Sequence, residues 1–238
     1  MEVIPRHQPS FAVARVNLSA GEEINVESGA MYAQSLGMEI TSKMQGGIFG
    51  ALKRSLLSGE SFFVSTFSSP RSPGWVDIVP NYPGDIFSLE IEPSRGLILT
   101  RGSWLASDKE INLDTKFGGA KMFLGGEGIF TVKCTGRGTV VGAAYGAMDL
   151  HSLGEGEGFT VDTGHLVAYE EGMRTQIRKA GTGILNSLKS GEGLVMDIYG
   201  PGDVITQSRN PAGFASFIQS VLPSAGGSSS SGGLSSLF

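Results

Sequence analysis

The chain has 238 residues, of which 40% are hydrophobic and 17% are charged, and this balance excludes an intrinsically disordered protein. A net charge of −5 without a long Lys/Arg run argues against nucleic-acid binding, which depends on the neutralisation of phosphates. Cys134 is the single cysteine, so no disulfide can form within the chain and we expect a cytoplasmic protein.

The N-terminal residues, MEVIPRHQPSFAVARV, lack the apolar core and the small-residue cleavage site of a signal peptide. No uncharged apolar run in the sequence reaches the roughly 18 residues that a membrane-spanning helix requires. We therefore expect a protein without a transmembrane segment.

An internal repeat dominates the sequence. LSAGEEINVESGAMYA at residues 18–33 and LGEGEGFTVDTGHLVA at residues 153–168 align without a gap. In both, a Gly-Glu pair is typical of a turn, and the alternation of apolar and polar residues after it predicts a half-buried strand. We interpret residues 82–107 as a third, altered copy that begins at Gly84–Asp85 and carries roughly ten inserted residues in a lengthened hairpin.

A second element recurs between these copies, in which Gly-Glu precedes an alternating strand: LLSGESFFVSTF (56–67), FLGGEGIFTVKC (123–134) and LKSGEGLVMDIY (188–199). The two elements together predict three modules, at residues 1–70, 71–135 and 136–208. No alternation of strands and helices is present, so we expect an all-β fold of repeated antiparallel β-sandwich modules.

The C-terminal residues differ in character. Asn210 and Pro211 are typical of a helix start, and they predict an amphipathic helix within residues 209–223. Its apolar stripe consists of Phe214, Phe217, Ile218, Val221 and Leu222. We expect this stripe to pack on the protein's own β core or on a neighbouring subunit, and membrane-surface docking is less favoured because the segment lacks Lys and Arg. Residues 224–238 are rich in Ser and Gly, which predicts a flexible tail able to reach a protein partner.

Three stretches resemble one known family: LLSGESFFVSTFSSPRSPGWVDIVPNYPGDIFSLEI, FLGGEGIFTVKCTGRGTVVGAAYG and VDTGHLVAYEEGM. Through them, roughly residues 1–205 resemble the mitochondrial-biogenesis family named for altered inheritance of mitochondria, whose bacterial and archaeal members have unknown function. The resemblance implies a fold like that of the tryptophan RNA-binding attenuation protein, with repeated β-sandwich modules and assembly into rings. RNA binding belongs to the attenuation protein and not to this family.

No pattern for catalysis, a cofactor or a metal stands out. The three histidines have no metal-binding spacing, and neither a GxSxG nucleophile motif nor a phosphate-binding loop is present in the sequence. His165 is the most interesting polar residue, because Ala30 and Ser103 occupy its place in the other copies. Asp162 lies three residues before it. We expect a hydrogen-bonded turn or interface role for His165 and a structural role for Asp162, whose counterpart is Glu27. The alternative is that these two residues form a ligand or interface site.

Two functions of different classes follow from this sequence. The first hypothesis is a non-enzymatic β scaffold or binding protein that self-assembles into a trimer or a larger ring. The alternative is a small-ligand or sugar-processing β enzyme that uses His165 together with Asp162. An RNA-binding ring is a weaker alternative because of the negative net charge.

Overall fold

A computed structural model describes residues 1–41, 64–100, 102–117, 130–180 and 194–222. These residues form nineteen β-strands, a 3₁₀ turn and a C-terminal helix, which confirms the all-β prediction with a short helix at the end. The second repeated element of the sequence, with its Gly59–Glu60, Gly126–Glu127 and Gly191–Glu192 pairs, begins outside the described residues.

The first group of strands is β1 (Glu2–Arg6), β2 (Val13–Leu18), β3 (Glu23–Glu27), β4 (Met31–Gln34), β5 (Glu39–Thr41), β6 (Val64–Ser68) and β7 (Gly74–Ile78). The second is β8 (Gly84–Ile91), β9 (Leu97–Thr100), β10 (Trp104–Asp108), β11 (Asn112–Phe117), β12 (Phe130–Thr135) and β13 (Gly138–Tyr145). The third is β14 (Met148–Leu153), β15 (Gly158–Asp162), β16 (Leu166–Glu170), β17 (Arg174–Lys179), β18 (Leu194–Tyr199) and β19 (Gly202–Gln207), followed by α1 (Pro211–Val221).

The strands form four sheets, and every strand pair in them is antiparallel. Sheet 1 has the order β1-β2-β7-β4, and sheet 2 has the order β5-β6-β3-β10-β13-β8. Sheet 3 repeats the pattern of sheet 2 with the order β11-β12-β9-β16-β19-β14, and sheet 4 contains β15-β18-β17.

This order reveals a spatial repeat of six strands: β2–β7, β8–β13 and β14–β19. In each module the first, sixth and third strands belong to one sheet, and the second, fifth and fourth strands belong to the next sheet. Each module is therefore a sandwich of two half-sheets. The spatial repeat is offset by one strand from the sequence segments 1–70, 71–135 and 136–208. β7 and β13 each follow a segment boundary in the sequence but belong in space to the module before it.

The hydrophobic core lies between successive sheets. Val16 and Val76 of sheet 1 are buried in one cluster with Val26 of sheet 2. A second cluster joins sheets 2 and 3, and a third joins sheets 3 and 4 through Val204 and Ile198. Because alternate residues of a strand point to opposite faces, the inner two sheets contribute to a core on each side.

The structure corrects one expectation about the repeat. Gly84–Asp85 opens strand β8, which is the counterpart of β2, and is not a turn equivalent to Gly21–Glu22. Gly84 is needed for a different reason: a Cβ there would collide with the backbone carbonyl of Ala144 on the paired strand. The spacing from Leu97 to Gly102 equals that from Ile24 to Gly29, so the predicted ten-residue insertion is wrong.

The predicted C-terminal helix is confirmed, and it contacts the β core without burying any of its own residues. The Asn210 side chain caps it by accepting hydrogen bonds from the backbone N–H groups of Ala212 and Gly213, at 2.9 and 3.3 Å. Phe214 contacts the Tyr145 ring edge to face, with 5.9 Å between the ring centroids. No residue of α1 is buried, and Phe217 is 59% exposed.

The stripe formed by Phe214, Phe217, Ile218, Val221 and Leu222 thus stays largely open to solvent. Contact with a neighbouring subunit remains a prediction. Within the described ranges, no helix is long and apolar enough to cross a membrane. The Ser/Gly-rich tail lies outside the described residues.

Candidate self-assembly interface

His165 and Asp162 both hold the turn between β15 and β16. The Asp162 carboxylate accepts a hydrogen bond from the Gly164 N–H at 2.8 Å and caps the 3₁₀ turn Thr163–His165. Nδ1 of His165 lies 2.8 Å from the carbonyl oxygen of Gln207 on β19, to which it donates. The Gln207 side-chain amide donates in return to the Gly164 carbonyl at 2.9 Å. In the described part of the chain, no hydrogen bond or ion pair joins His165 to Asp162.

Other polar and nucleophilic side chains also have structural roles. Nε2 of His151 lies 2.9 Å from the hydroxyl of Thr206, and its ring contacts Phe159. Burial raises the pKa of the Cys134 thiol to about 12, so the thiol stays protonated at neutral pH. Among the residues that the structure describes, no group of three His, Cys, Asp or Glu side chains could hold a metal ion.

Two internal junctions join the modules. β10 of the second module pairs with β3 of the first, with Ala106 opposite Val26 and Ser107 opposite Asn25. β16 of the third module pairs in the same way with β9 of the second. At this second junction the opposite residues are Ala168 with Leu99 and Tyr169 with Ile98. Each junction thus completes a six-stranded sheet from two half-sheets.

Two strands stand where a third junction would form. β4 is the counterpart of β10 and β16, and β15 is the counterpart of β3 and β9. In the described part of the chain, β4 pairs only with β7, and β15 pairs only with β18. Sheet 1 and sheet 4 therefore correspond to the two halves of an inner sheet, and they lie at opposite ends of the stack.

The equivalence of the third strands is fixed by an irregularity that they share. Each has a shift of register against its sixth-strand partner at the same place: between Met31 and Ala33, between Trp104 and Ala106, and between Leu166 and Ala168. Met31 is thus the counterpart of Trp104, and Tyr32 is the counterpart of Leu105.

Side-chain exposure shows that the junction at β4 is incomplete. Trp104 and Leu105 are each 1% exposed, whereas Met31 is 40% exposed and Tyr32 is 66% exposed. The third-module counterparts of Met31 and Tyr32, Leu166 and Val167, are also buried. Apolar side chains are hence exposed at the position where both internal junctions bury them.

A charged cluster lies beside β4 on sheet 1. The Asp77 carboxylate accepts hydrogen bonds from Arg15 at 2.9 Å and from Arg6 at 2.6 Å. Arg15 also lies over the Trp75 ring at 4.0 Å, and its hydrogen bond to Asp77 lowers the pKa of that carboxyl. Asp77 pairs with Ala33, at the position that corresponds to the apolar Val141 in the next module.

Glu27 at the end of β3 is a second titratable feature of this region. Burial raises the pKa of its carboxyl from 4.5 to about 7. The folded chain therefore binds a proton here more tightly than the unfolded chain does, and the stability that this proton provides is lost as the pH rises from 4.5 towards 7.

We expect the free energy of unfolding of Glu27→Gln to increase relative to that of the native chain as the pH rises from 4.5 to about 7. Above about pH 7 the difference stays at its largest value, up to about 3 kcal/mol. Urea denaturation of both proteins at a series of pH values measures this difference. Glu39→Gln, at an exposed position on β5, serves as the matched control. A constant difference for Glu27→Gln would contradict the prediction.

Comparisons with known proteins agree with this architecture. The family model described as mitochondrial biogenesis AIM24 matches residues 5–209. The chain belongs to the AIM24 family. An uncharacterized protein of Streptococcus pyogenes serotype M6 is 28% identical over 221 residues, covering 90% of this chain and 88% of that protein.

A crystal structure of a Streptococcus pyogenes protein is also similar to this AIM24-family chain, with a TM-score of 0.78 and 26% sequence identity. The match covers 93% of this chain and 99% of that one, so the fold is shared over nearly the whole length. The predicted likeness to the tryptophan RNA-binding attenuation protein stays a prediction.

Sequence reasoning singled out His165 and Asp162 but missed the two sheet edges. The repeat alignment matches Met31 and Tyr32 with residues that are buried in the other two modules. All of the matched residues are apolar, so the alignment by itself could not show that Met31 and Tyr32 are exposed.

Proposed function

We propose that this AIM24-family protein is a non-enzymatic, cytoplasmic scaffold or binding module that self-assembles head to tail. The observation that carries the proposal is the pair of incomplete sheets, sheet 1 and sheet 4, at the two ends of a chain whose inner sheets are each completed by strands from two modules. An unpaired sheet edge is a template for pairing with another chain. Because the two edges differ, the contact between copies is heterologous and forms a ring if its rotation closes.

We propose three chains per ring, so that nine modules form one continuous circuit without a free junction edge. Light scattering at several concentrations tests the proposal, and we expect about three times the chain mass of 24.9 kDa. A single chain at micromolar concentration and above would contradict self-assembly.

The enzyme alternative receives less support. The Asp162 carboxylate caps the β15–β16 turn, and Nδ1 of His165 donates to the Gln207 carbonyl on β19. Asp162 does not orient the His165 ring, because its carboxylate accepts from the Gly164 N–H while Nδ1 of the ring donates to the Gln207 carbonyl. RNA binding is disfavoured by the net charge of −5.

The exposed stripe of α1 supports a second contact, with a protein partner or a neighbouring subunit. Phe217 and Val221 are each 59% exposed, and one recurring mode of protein recognition places the apolar face of a helix in a hydrophobic groove of the partner. Such a contact would allow the assembled scaffold to recruit a partner through its C-terminal residues.

A further inference from the structure

We infer that β4 of one copy pairs antiparallel with β15 of a second copy, with Ala33 opposite Val161 and Gln34 opposite Thr160. This inference rests on the proposed self-assembly and specifies which edges meet and in which register. Its occupant is a second copy of this chain.

The register follows from the two internal junctions. At the first junction Ala106, the third residue of β10, lies opposite Val26 of β3. At the second junction Ala168, the third residue of β16, lies opposite Leu99 of β9. The corresponding residue of β4 is Ala33. The corresponding residue of β15 is Val161, because residues 18–33 and 153–168 align without a gap.

Pairing of the second strands with the fifth strands of their own modules supports the same alignment. Val26, Leu99 and Val161 occupy matching places opposite the fifth strands, where their partners are Ser65, Val132 and Met196. The next pair along the junction is then Gln34 with Thr160. A shift by one residue would turn every side chain of the edge to the other face of the sheet, so the register is strongly specified.

Polar side chains occupy the matching place at the first internal junction. Ser107 is the counterpart of Gln34 and is fully buried opposite Asn25, which shows the environment that a completed junction provides. In the described residues, Oε1 of Gln34 is buried without a hydrogen-bond partner, as are Oγ of Ser107 and Nδ2 of Asn25 at the completed junction. A polar residue at this place in β4 therefore agrees with pairing opposite Thr160.

The choice of β4 and β15 over other strands comes from comparison among the modules. β5, β11 and β17 are edge strands in all three modules, and β8 and β14 are edges in the second and third. β4 and β15 are edges although their counterparts are paired. Their union gives a seven-stranded sheet of order β1-β2-β7-β4-β15-β18-β17, which matches the inner sheets with β1 added at the edge.

Disulfide trapping of a double variant, Gln34→Cys with Thr160→Cys, tests the register in the full chain. Directly opposed residues of antiparallel strands lie within disulfide reach. We expect mild oxidation to link chains covalently, giving multimers on a non-reducing gel that reduction returns to single chains. Cys134 does not interfere, because it is buried.

The matched control is Gln34→Cys with Asp162→Cys, which moves one cysteine by two residues along the same strand face. Such a diagonal pair lies about 7–8 Å apart between Cα atoms, beyond the reach of a disulfide. We expect at least a tenfold lower yield of linked chains from this control.

Failure of the inference differs from failure of self-assembly. If light scattering shows an assembly but the 34/160 pair gives no linkage, or no more than the 34/162 pair, the register is overturned and the proposed scaffold stands. If the 34/160 disulfide forms within a single chain, the partner is the same copy and the inference is also overturned. If both variants and the native protein are single chains throughout, the inference and the proposed function fail together.

Discussion

Replacing Tyr32 with Glu is expected to dissociate the assembly into single chains. Tyr32 is 66% exposed in the isolated chain, so the substitution leaves the fold of the chain intact. Leu105 and Val167, its counterparts at the internal junctions, are buried, so assembly through β4 would bury the new carboxylate. The cost of burying an unpaired charge, together with the lost aromatic contact, amounts to about 2 kcal/mol or more, which corresponds to at least about 30-fold weaker association.

The control for Tyr32→Glu is Leu36→Glu. Leu36 is 100% exposed, and its counterparts Lys109 and Glu171 are exposed at both internal junctions, so a charge there meets solvent in the assembled state too. Sedimentation velocity of both variants across a dilution series measures the dissociation constants. Assembly of Tyr32→Glu with the affinity of Leu36→Glu would show that β4 does not form the contact.

Trp104→Ala is expected to lower the free energy of unfolding by about 3–5 kcal/mol. The Trp104 side chain is 1% exposed and belongs to the core between sheets 2 and 3, so its removal leaves a large cavity at a completed junction. Met31→Ala changes the counterpart residue in the first module. Because Met31 is 40% exposed, we expect a loss of less than about 1 kcal/mol in the single chain.

Both substitutions are best measured in the Tyr32→Glu background, which keeps the chain single and separates folding from assembly. Guanidinium denaturation followed by far-UV circular dichroism, which reports backbone structure, gives the two free energies of unfolding. Equal losses for the two variants would mean that the first module already buries Met31, and that its junction is not incomplete.

The glycine and acid positions of this chain determine much of its local structure. The turns at Gly21, Gly29 and Gly156 adopt positive φ, which only glycine tolerates readily, and this recurrence made the repeat visible. Asn210 and Pro211 likewise define the start of α1 by short-range capping. These features depend on a few adjacent residues, and for that reason the sequence predicted them correctly.

The failure at Gly84 shows where such reasoning stops. A Gly-Asp pair in the sequence does not show whether the glycine is required by a turn or by the close approach of a second strand. Gly84 is required by the close approach of the Ala144 backbone. The exposed stripe of α1 is a similar case. Its periodicity predicts an amphipathic helix, but which surface covers Phe217 depends on distant residues.

By itself the sequence determined the strands, the turns and the threefold repetition, because these follow from local periodicity and backbone preference. Only the tertiary structure decided that each module gives three strands to the next sheet, since strand pairing joins residues far apart in the chain, such as Ala106 with Val26. The same exchange leaves β4 and β15 without the partners that their counterparts have in the described fold. Repetition in a chain implies a first and a last module, and it is at the unpaired backbone groups of their outer strands that we propose the copies to meet.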